Sequence, residues 1–118
     1  MVASNVEGKH ILITGGGSGI GAASAKTLCE RGALVGVADL NMDAAEALVH
    51  QLKEAGGNAY AVKVDVTEPA QVNAMFEVAF SQQAKLDVII NNAGIDHFPA
   101  PLTEVDDAMF MKNIQVNL

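Results

Sequence analysis

Cysteine, tryptophan and tyrosine are scarce in this chain of 118 residues, which has one cysteine, no tryptophan and one tyrosine. A single cysteine excludes an internal disulfide framework, and Cys29 lies in a helical pattern where we expect a small packed hydrophobic residue. No apolar run reaches membrane-spanning length, and residues 1–9 lack the apolar segment of a signal peptide. We therefore expect a soluble, cytoplasmic protein in a reducing environment, with no membrane partner.

Basic residues are scarce too: 7 Lys and Arg stand against 14 Asp and Glu, for a net charge of −7. No stretch concentrates the positive charges, so we expect no nucleic-acid partner. Asp96 and His97 are adjacent but have no third ligand, and we expect no metal site. With 50% hydrophobic residues and no repeat or linker, residues 1–118 are predicted to form one domain around one core.

Glycine, by contrast, is concentrated in one turn. Residues 14–21 read T-G-G-G-S-G-I-G, follow the apolar run 11–13 and open a helical pattern. Gly15 lets the chain leave the strand tightly, Gly19 lets the backbone approach phosphates, and Gly21 lets the helix pack close to the sheet. Free N–H groups and the helix dipole then face an anion, which predicts a dinucleotide pyrophosphate site. The spacing differs from the common G-x-G-x-x-G pattern, and a flexible loop is the alternative interpretation.

Two further features indicate which nucleotide the turn suits. A P-loop requires Lys and then Ser or Thr after its last glycine, whereas Ala22-Ala23 stands there, which disfavours nucleoside triphosphate hydrolysis. Asp39 ends the next apolar run, 34–38, twenty residues after Gly19. A carboxylate at that position can accept hydrogen bonds from an adenosine ribose, although it can also cap a turn.

Strand and helix patterns alternate along the whole chain, with strands predicted at residues 11–13, 34–38, 59–64 and 86–90. Gly32 ends the first helix, and Asn41, Thr67 and Thr103 are predicted to cap the next three. In the first helix the residues that recur at helical spacing are Ile20, Ala23, Ser24, Thr27 and Leu28. The residues predicted to face inwards are Ala45, Leu48, Val49 and Leu52 in the second helix, and Val72, Met75, Phe76, Ala79 and Phe80 in the third. This order predicts an α/β fold, a parallel sheet in strand order 3-2-1-4 with helices on both faces. The ligand should lie beyond the carboxyl ends of strands one and four.

The motif Asn91-Asn92-Ala93-Gly94 comes directly after the fourth strand. Together with the glycine turn, Asp65-Val66 after the third strand and Asn117 in the last predicted helix, it closely resembles the short-chain dehydrogenase/reductase family. The resemblance covers essentially the whole chain, and the motifs have the family's order and spacing. It implies a Rossmann-type fold, a nicotinamide dinucleotide cofactor, and hydride transfer between that cofactor and an alcohol or carbonyl substrate.

The resemblance also implies a cofactor site along one edge of the sheet. Its positions are Gly15, Ser18, Gly19, Ile20, Gly21, Asp39, Leu40, Asp65, Val66, Asn92, Ala93 and Gly94. The turn residues would follow the pyrophosphate, Asp39 would bind the adenosine ribose beside Leu40, and Asp65 with the Val66 backbone would bind the adenine. Asn92 and the two residues after it would border the nicotinamide-side ribose. For Asp65 a cap on the turn at Thr67 is the alternative, and Asn91 is expected to tie strand ends together.

The charge of Asp39 favours NAD over NADP. At an effective dielectric constant near 20, a 2′-phosphate charge about 4 Å from this carboxylate costs on the order of 4 kcal/mol. Residues 16–18 and 40–42 contain no Arg or Lys that would compensate. We therefore expect NAD as the cofactor.

Catalysis is less completely represented than cofactor binding. The resemblance implies a catalytic tetrad of Asn, Ser, Tyr and Lys, of which only Asn117 has a match. The sole tyrosine, Tyr60, lies in the third strand without a lysine four positions on, and it is interpreted as an edge-strand residue. His10 and His50 are expected to serve only packing and solvation. Because family members are longer, we expect the chain to represent their amino-terminal half and to be inactive alone.

Two exposed apolar surfaces bear on self-association. A fourth strand left at the edge, and a last helix exposing Met109, Phe110 and Ile114, predict a homo-oligomer joined through either surface. A non-catalytic dinucleotide-binding or interaction module is the alternative function. Binding of another adenine nucleotide is a third reading, which leaves Asn92 and Asn117 unexplained.

Overall fold

A four-stranded parallel sheet forms the centre of the fold. The computed structural model of the chain describes residues 6–92. The strands are β1 His10–Thr14, β2 Leu34–Asp39, β3 Asn58–Lys63 and β4 Val88–Asn91, and the helices are α1 Gly19–Glu30, α2 Met42–Glu54 and α3 Pro69–Gln82. The order β3-β2-β1-β4 and the parallel pairing confirm the predicted α/β class and strand order. The fourth helix predicted from Thr103 lies outside the described residues.

The core is divided by the sheet into two apolar layers. Side chains alternate between faces along each strand, so neighbouring strand residues enter different layers. One layer packs Ile11, Ile13, Val35 and Val37 against α1 and α2. The other packs Leu12, Tyr60 and Val62 against α3. Helices therefore cover both faces, and the strand ends are left for a ligand.

The predicted helix α1 is present, and its buried face consists of small residues. The buried residues are Gly21, Ala25 and Cys29, whereas Ile20 is 78% exposed. A Cβ on Gly21 would collide with the carbonyl oxygen of Gly15. The helix therefore approaches the sheet so closely at its start that only small residues face inwards there, whereas Leu28, further along the helix, is partly buried against the core. The prediction that Cys29 is a buried small residue is confirmed.

Helix α2 follows its prediction. The Asn41 side chain accepts a hydrogen bond from the Ala44 N–H at 3.0 Å, which confirms the predicted cap. The predicted inner stripe is buried as a whole: Ala45, Leu48, Val49 and Leu52. Because the cap and the apolar stripe agree, the start of α2 has a well-defined position at the end of β2.

The N-cap of helix α3 lies one residue later than predicted. Its N-cap is Glu68, which makes no side-chain capping bond, and Pro69 is the first helical residue. The prediction that Thr67 caps this helix is wrong, because the Thr67 hydroxyl donates to Oδ1 of Asp65 in the preceding turn. The inward face is confirmed for its four fully buried members, Val72, Met75, Phe76 and Ala79, while Phe80 is half-buried.

Candidate functional site

The glycine turn joins the end of β1 to the start of α1. Gly15 and Gly19 have φ angles of +66° and +58°, a left-handed conformation that side-chain-bearing residues rarely adopt. Ser18 is the N-cap of α1 in an extended conformation, and its side chain makes no capping hydrogen bond. The first turn of α1 contains no acidic residue. Its N–H groups and the positive end of the helix dipole are therefore available to an anion.

The space around the turn is asymmetric. A Cβ on Gly21 would collide with the Gly15 carbonyl and stand 2.9 Å from the Cα of Gly16, so the turn is closed towards the sheet. A Cβ on Gly19 would meet no heavy atom of the described residues within 4 Å, so the turn is open outwards. A backbone cradle that is tight below and open above fits a phosphate-bearing ligand.

Asp39 lies at the end of β2, beside this cradle. Its Oδ2 accepts a hydrogen bond from the Gly17 N–H at 2.9 Å, and its Oδ1 accepts one from the Asn41 N–H at 2.9 Å. The second contact confirms the turn-cap interpretation. The hydrogen bond from Gly17 was not predicted from the sequence. The third consecutive glycine was a signal for it, because the turn itself does not require glycine at that position. The carboxylate is thus held between two loops at the ligand edge.

Asn92 closes the other side of the cradle. Its side-chain amide donates to the Gly15 carbonyl at 3.1 Å, and its backbone N–H donates to the Thr14 hydroxyl at 3.1 Å. That hydroxyl donates in turn to the Ile90 carbonyl at 3.4 Å. Asn92 thus ties the ends of β1 and β4 together through Thr14. Asn91, of which such a tie was expected, is the exposed last residue of β4 and stands opposite Thr14 in the pairing of the two strands.

Asp65 follows β3 at the same edge. Its Oδ1 accepts hydrogen bonds from the hydroxyl and the N–H of Thr67, at 2.6 Å and 2.9 Å. These two hydrogen bonds hold the pKa of Asp65 below its ordinary value, and the bond from the Thr67 hydroxyl has the larger effect. The turn interpretation of Asp65 is confirmed, and its contact with adenine stays a prediction. Val66 is half-buried against the layer that contains α3.

Two exposed aliphatic residues flank the cradle. Ile20 begins α1 and Leu40 follows β2, with exposed fractions of 78% and 62%. Large apolar side chains left in water beside the glycine turn suit a ligand with ring faces to cover. The structure thus places ten predicted positions at the carboxyl ends of the strands: Gly15, Ser18, Gly19, Ile20, Gly21, Asp39, Leu40, Asp65, Val66 and Asn92. Ala93, Gly94 and Asn117 lie outside the described residues.

Residues 6–92 contain neither a metal-ligand cluster nor a membrane-spanning helix. This part of the chain holds no group of three or more His, Cys, Asp or Glu that could bind a metal ion. None of its helices has both the length and the apolar character needed to cross a bilayer.

Comparisons with known proteins agree with this geometry. The family model for short chain dehydrogenase matches residues 9–118. An uncharacterized oxidoreductase of Methylorubrum extorquens is 40% identical over 116 residues, which are 98% of this chain and 46% of the relative. A crystal structure of hydroxysteroid dehydrogenase from Escherichia coli matches with a TM-score of 0.79 and 33% identity, over 97% of this chain and 52% of that one.

A second solved structure contains a dinucleotide. The 3-ketoacyl-(acyl-carrier-protein) reductase from Brucella melitensis, complexed with NADH, matches with a TM-score of 0.72 and 38% identity, over 95% of this chain and 45% of that one. The chain spans less than half the length of the curated relatives that it matches.

Proposed function

The chain belongs to the short-chain dehydrogenase family, and on that premise we propose that it forms the cofactor-binding half of an oxidoreductase acting on alcohols or carbonyls. The family shares a Rossmann fold that binds NAD or NADP. The observation that carries the proposal is the meeting of the open glycine cradle, the doubly held Asp39 and Asn92 at one edge of the sheet. When bound there, the dinucleotide supplies a nicotinamide that gives or accepts a hydride.

Each part of the site has a proposed task. The N–H groups at the start of α1 bind the pyrophosphate, and Asp39 accepts hydrogen bonds from the adenosine ribose. Leu40 covers the adenine, whose amino group donates to Asp65 with support from the Val66 backbone. Asn92, with Ala93 and Gly94 after it, borders the nicotinamide-side ribose. Ile20, exposed beside the cradle, shields the pyrophosphate from water.

NAD is the proposed cofactor. The Asp39 carboxylate is held in place by two backbone N–H groups, so it cannot swing away from a 2′-phosphate without losing them. The nearest chain segments, residues 16–18 and 40–42, contain no Arg or Lys, and the first turn of α2 adds the negative charge of Asp43. The repulsion of a phosphate at this position therefore finds no compensating charge in those two segments, whereas ribose hydroxyls find an acceptor.

Asn117 is the proposed catalytic residue of the chain, as the asparagine that places a proton-relay water. Tyr60, the chain's only tyrosine, is buried in β3 with its hydroxyl 2.6 Å from Nε2 of His10, which begins β1 at the opposite end from the glycine turn. It therefore cannot act as the acid or base at the cofactor edge. This observation favours a second candidate, a dinucleotide-binding module without its own chemistry, if the 118 residues act alone.

Self-association and location complete the proposal. Among the described residues β4 pairs only with β1, and Val88 on β4 is 38% exposed. We propose that β4, as the edge strand of the sheet, joins two or more copies of the chain together with the last helix. Sedimentation showing only monomer at high micromolar concentration would contradict this. The single cysteine is a buried free thiol, which is compatible with the proposed cytoplasmic setting.

Calorimetric titration of the full chain with NAD tests the function. We expect saturable binding that is lost in Asp39→Ala and kept in Asp43→Ala, a matched removal of a carboxylate from the exposed first turn of α2. Binding that persists unchanged in Asp39→Ala, or no binding by a folded wild-type chain, contradicts the proposal. Whether the encoding reading frame continues past Leu118 into a Ser and a Tyr-x-x-x-Lys then separates the two candidates, because those residues would complete the tetrad of an oxidoreductase and a module without chemistry lacks them.

A further inference from the structure

The two oxygens of Asp39 are each engaged by a different loop. Oδ2 accepts from the Gly17 N–H in the glycine turn, and Oδ1 accepts from the Asn41 N–H before α2, both at 2.9 Å. A carboxylate held at both oxygens has a defined plane and a defined direction. An ionised carboxylate offers about four acceptor sites, so each oxygen still has room for one further donor. A pair of adjacent ribose hydroxyls matches that arrangement.

Gly17 is placed where any side chain would displace this carboxylate. A Cβ on Gly17 would stand 2.9 Å from Oδ2 of Asp39, 3.2 Å from the Cβ of Ala44 and 3.3 Å from the backbone N of Ala45. Helix α2 cannot withdraw easily, because Asn41 caps it and Ala45 is buried in the core. The Asp39 side chain is therefore the neighbour that yields.

We propose that Gly17 is a positioning residue for Asp39, and that its missing side chain sets the preference for the dinucleotide without a 2′-phosphate. This inference rests on the proposed function. The held carboxylate accepts from the ribose hydroxyls and also faces a 2′-phosphate when one is present. A carboxylate shifted away from the turn accepts less well from the hydroxyls and stands farther from a 2′-phosphate, so a Cβ at this position weakens NAD binding and reduces the repulsion of NADP.

Gly17→Ala, titrated with NAD and separately with NADP, tests the specificity part. We expect the ratio of the two affinities to fall by about tenfold towards NADP, the size of one lost hydrogen bond to a charged group. Gly16→Ala is the matched control, because its Cβ would meet the Ile13 carbonyl oxygen and Val37 Cγ1 and does not approach Asp39. Gly16→Ala should change the free energy of unfolding and should change the affinities for NAD and NADP by the same factor. The ratio of the two affinities should therefore stay as in the wild type. An Asp39→Ala background should abolish the effect of Gly17→Ala on the ratio.

A measurement without cofactor tests the positioning part. Amide hydrogen exchange should show the Gly17 N–H protected in the wild-type chain and markedly faster in Asp39→Ala. Equal exchange rates in the two proteins overturn the positioning role. A ratio that moves no more in Gly17→Ala than in Gly16→Ala overturns the specificity role. Absence of saturable dinucleotide binding by the wild type overturns the proposed function and the specificity role with it, and the exchange rates still decide the positioning role.

Discussion

The hydroxyl of Tyr60 on β3 lies 2.6 Å from Nε2 of His10 on β1, although β2 runs between the two strands. The two rings meet edge to face with their centroids 5.6 Å apart. Gly36 on β2 makes this possible, since a Cβ there would stand 2.5 Å from the Tyr60 ring and hydroxyl. A glycine in the middle of a strand thus opens the path for a hydrogen bond across it.

The surroundings of His10 determine its proton. Nδ1 lies 3.0 Å from the Lys85 carbonyl, which can only accept, so Nδ1 carries the hydrogen and Nε2 accepts from Tyr60. Burial lowers the pKa of His10, and this outweighs the Lys85 carbonyl, the Asp87 carboxylate and the Gln83 carbonyl, which raise it. Burial also raises the pKa of Tyr60. The folded chain therefore favours the neutral form of both the His10 and the Tyr60 side chain.

Stability should fall on mild acidification because of His10. Its pKa in the folded chain lies below the ordinary value of 6.5, so between those two values the unfolded chain binds more protons. The contribution of His10 to the free energy of unfolding is fully present above pH 6.5. It is lost progressively as the pH decreases from 6.5 to the pKa of His10 in the folded chain. Asp87, whose pKa the His10 N–H lowers, loses its contribution only below its ordinary 3.8. Urea unfolding between pH 7 and pH 5 measures the slope.

The controls for this slope are His10→Gln and His50→Gln. His50 is exposed and pairs with Glu54 at 3.4 Å along α2. We expect His10→Gln to flatten the dependence on pH and His50→Gln to leave it as in the wild type. A wild-type slope that survives in His10→Gln would show that other groups cause it.

Tyr60→Phe should destabilise the chain without changing its fold. The substitution removes one hydroxyl and leaves Nε2 of the buried His10 without its donor, which costs about 1–3 kcal/mol in the free energy of unfolding. A double-mutant cycle with His10→Leu measures the coupling, and an additive result would contradict the hydrogen bond.

Gly36→Ala should be more harmful than an ordinary glycine replacement in a strand. The added methyl group meets the Tyr60 ring and Leu12 Cδ1, and overpacking of this kind costs about 1–3 kcal/mol. Shortening the obstructing side chain should recover part of the loss, so Tyr60→Val should cost less in the Gly36→Ala background than in the wild type. Thermal unfolding of the four proteins tests this expectation. Equal costs in both backgrounds would show that Tyr60 is not the obstacle.

Thr14→Val should loosen the cradle without altering its shape. Valine keeps the branched outline but removes the hydroxyl that joins the Ile90 carbonyl to the Asn92 N–H. We expect a loss of about 1–3 kcal/mol in the free energy of unfolding and faster amide exchange at Asn92. Thr27→Val, at an exposed position of α1, is the matched control and should change neither quantity. Unaltered exchange at Asn92 in Thr14→Val would argue against the tie.

The sequence by itself determined the class of fold, the strand order, and the place of the glycine turn and Asp39. These follow from local patterns, because a period of two marks a strand, an apolar stripe marks a helix face, and alternation of the two leads to parallel pairing. The stripe of α2 was predicted residue by residue for this reason. For α1 the spacing predicted the helix but not its buried face, because closeness to the sheet at Gly21, and not apolar character, decides which face is buried at the start of the helix.

Only the tertiary structure decided which polar groups meet. The bond from Gly17 to Asp39 joins residues 22 apart in sequence, that from Tyr60 to His10 spans 50, and that from Asn92 to Thr14 spans 78. A periodic pattern specifies the direction of a side chain relative to its own element but not the partner that the register brings opposite it. Hydrogen bonds at strand ends depend on that register and on the exact path of each turn, which the packed sheet alone defines.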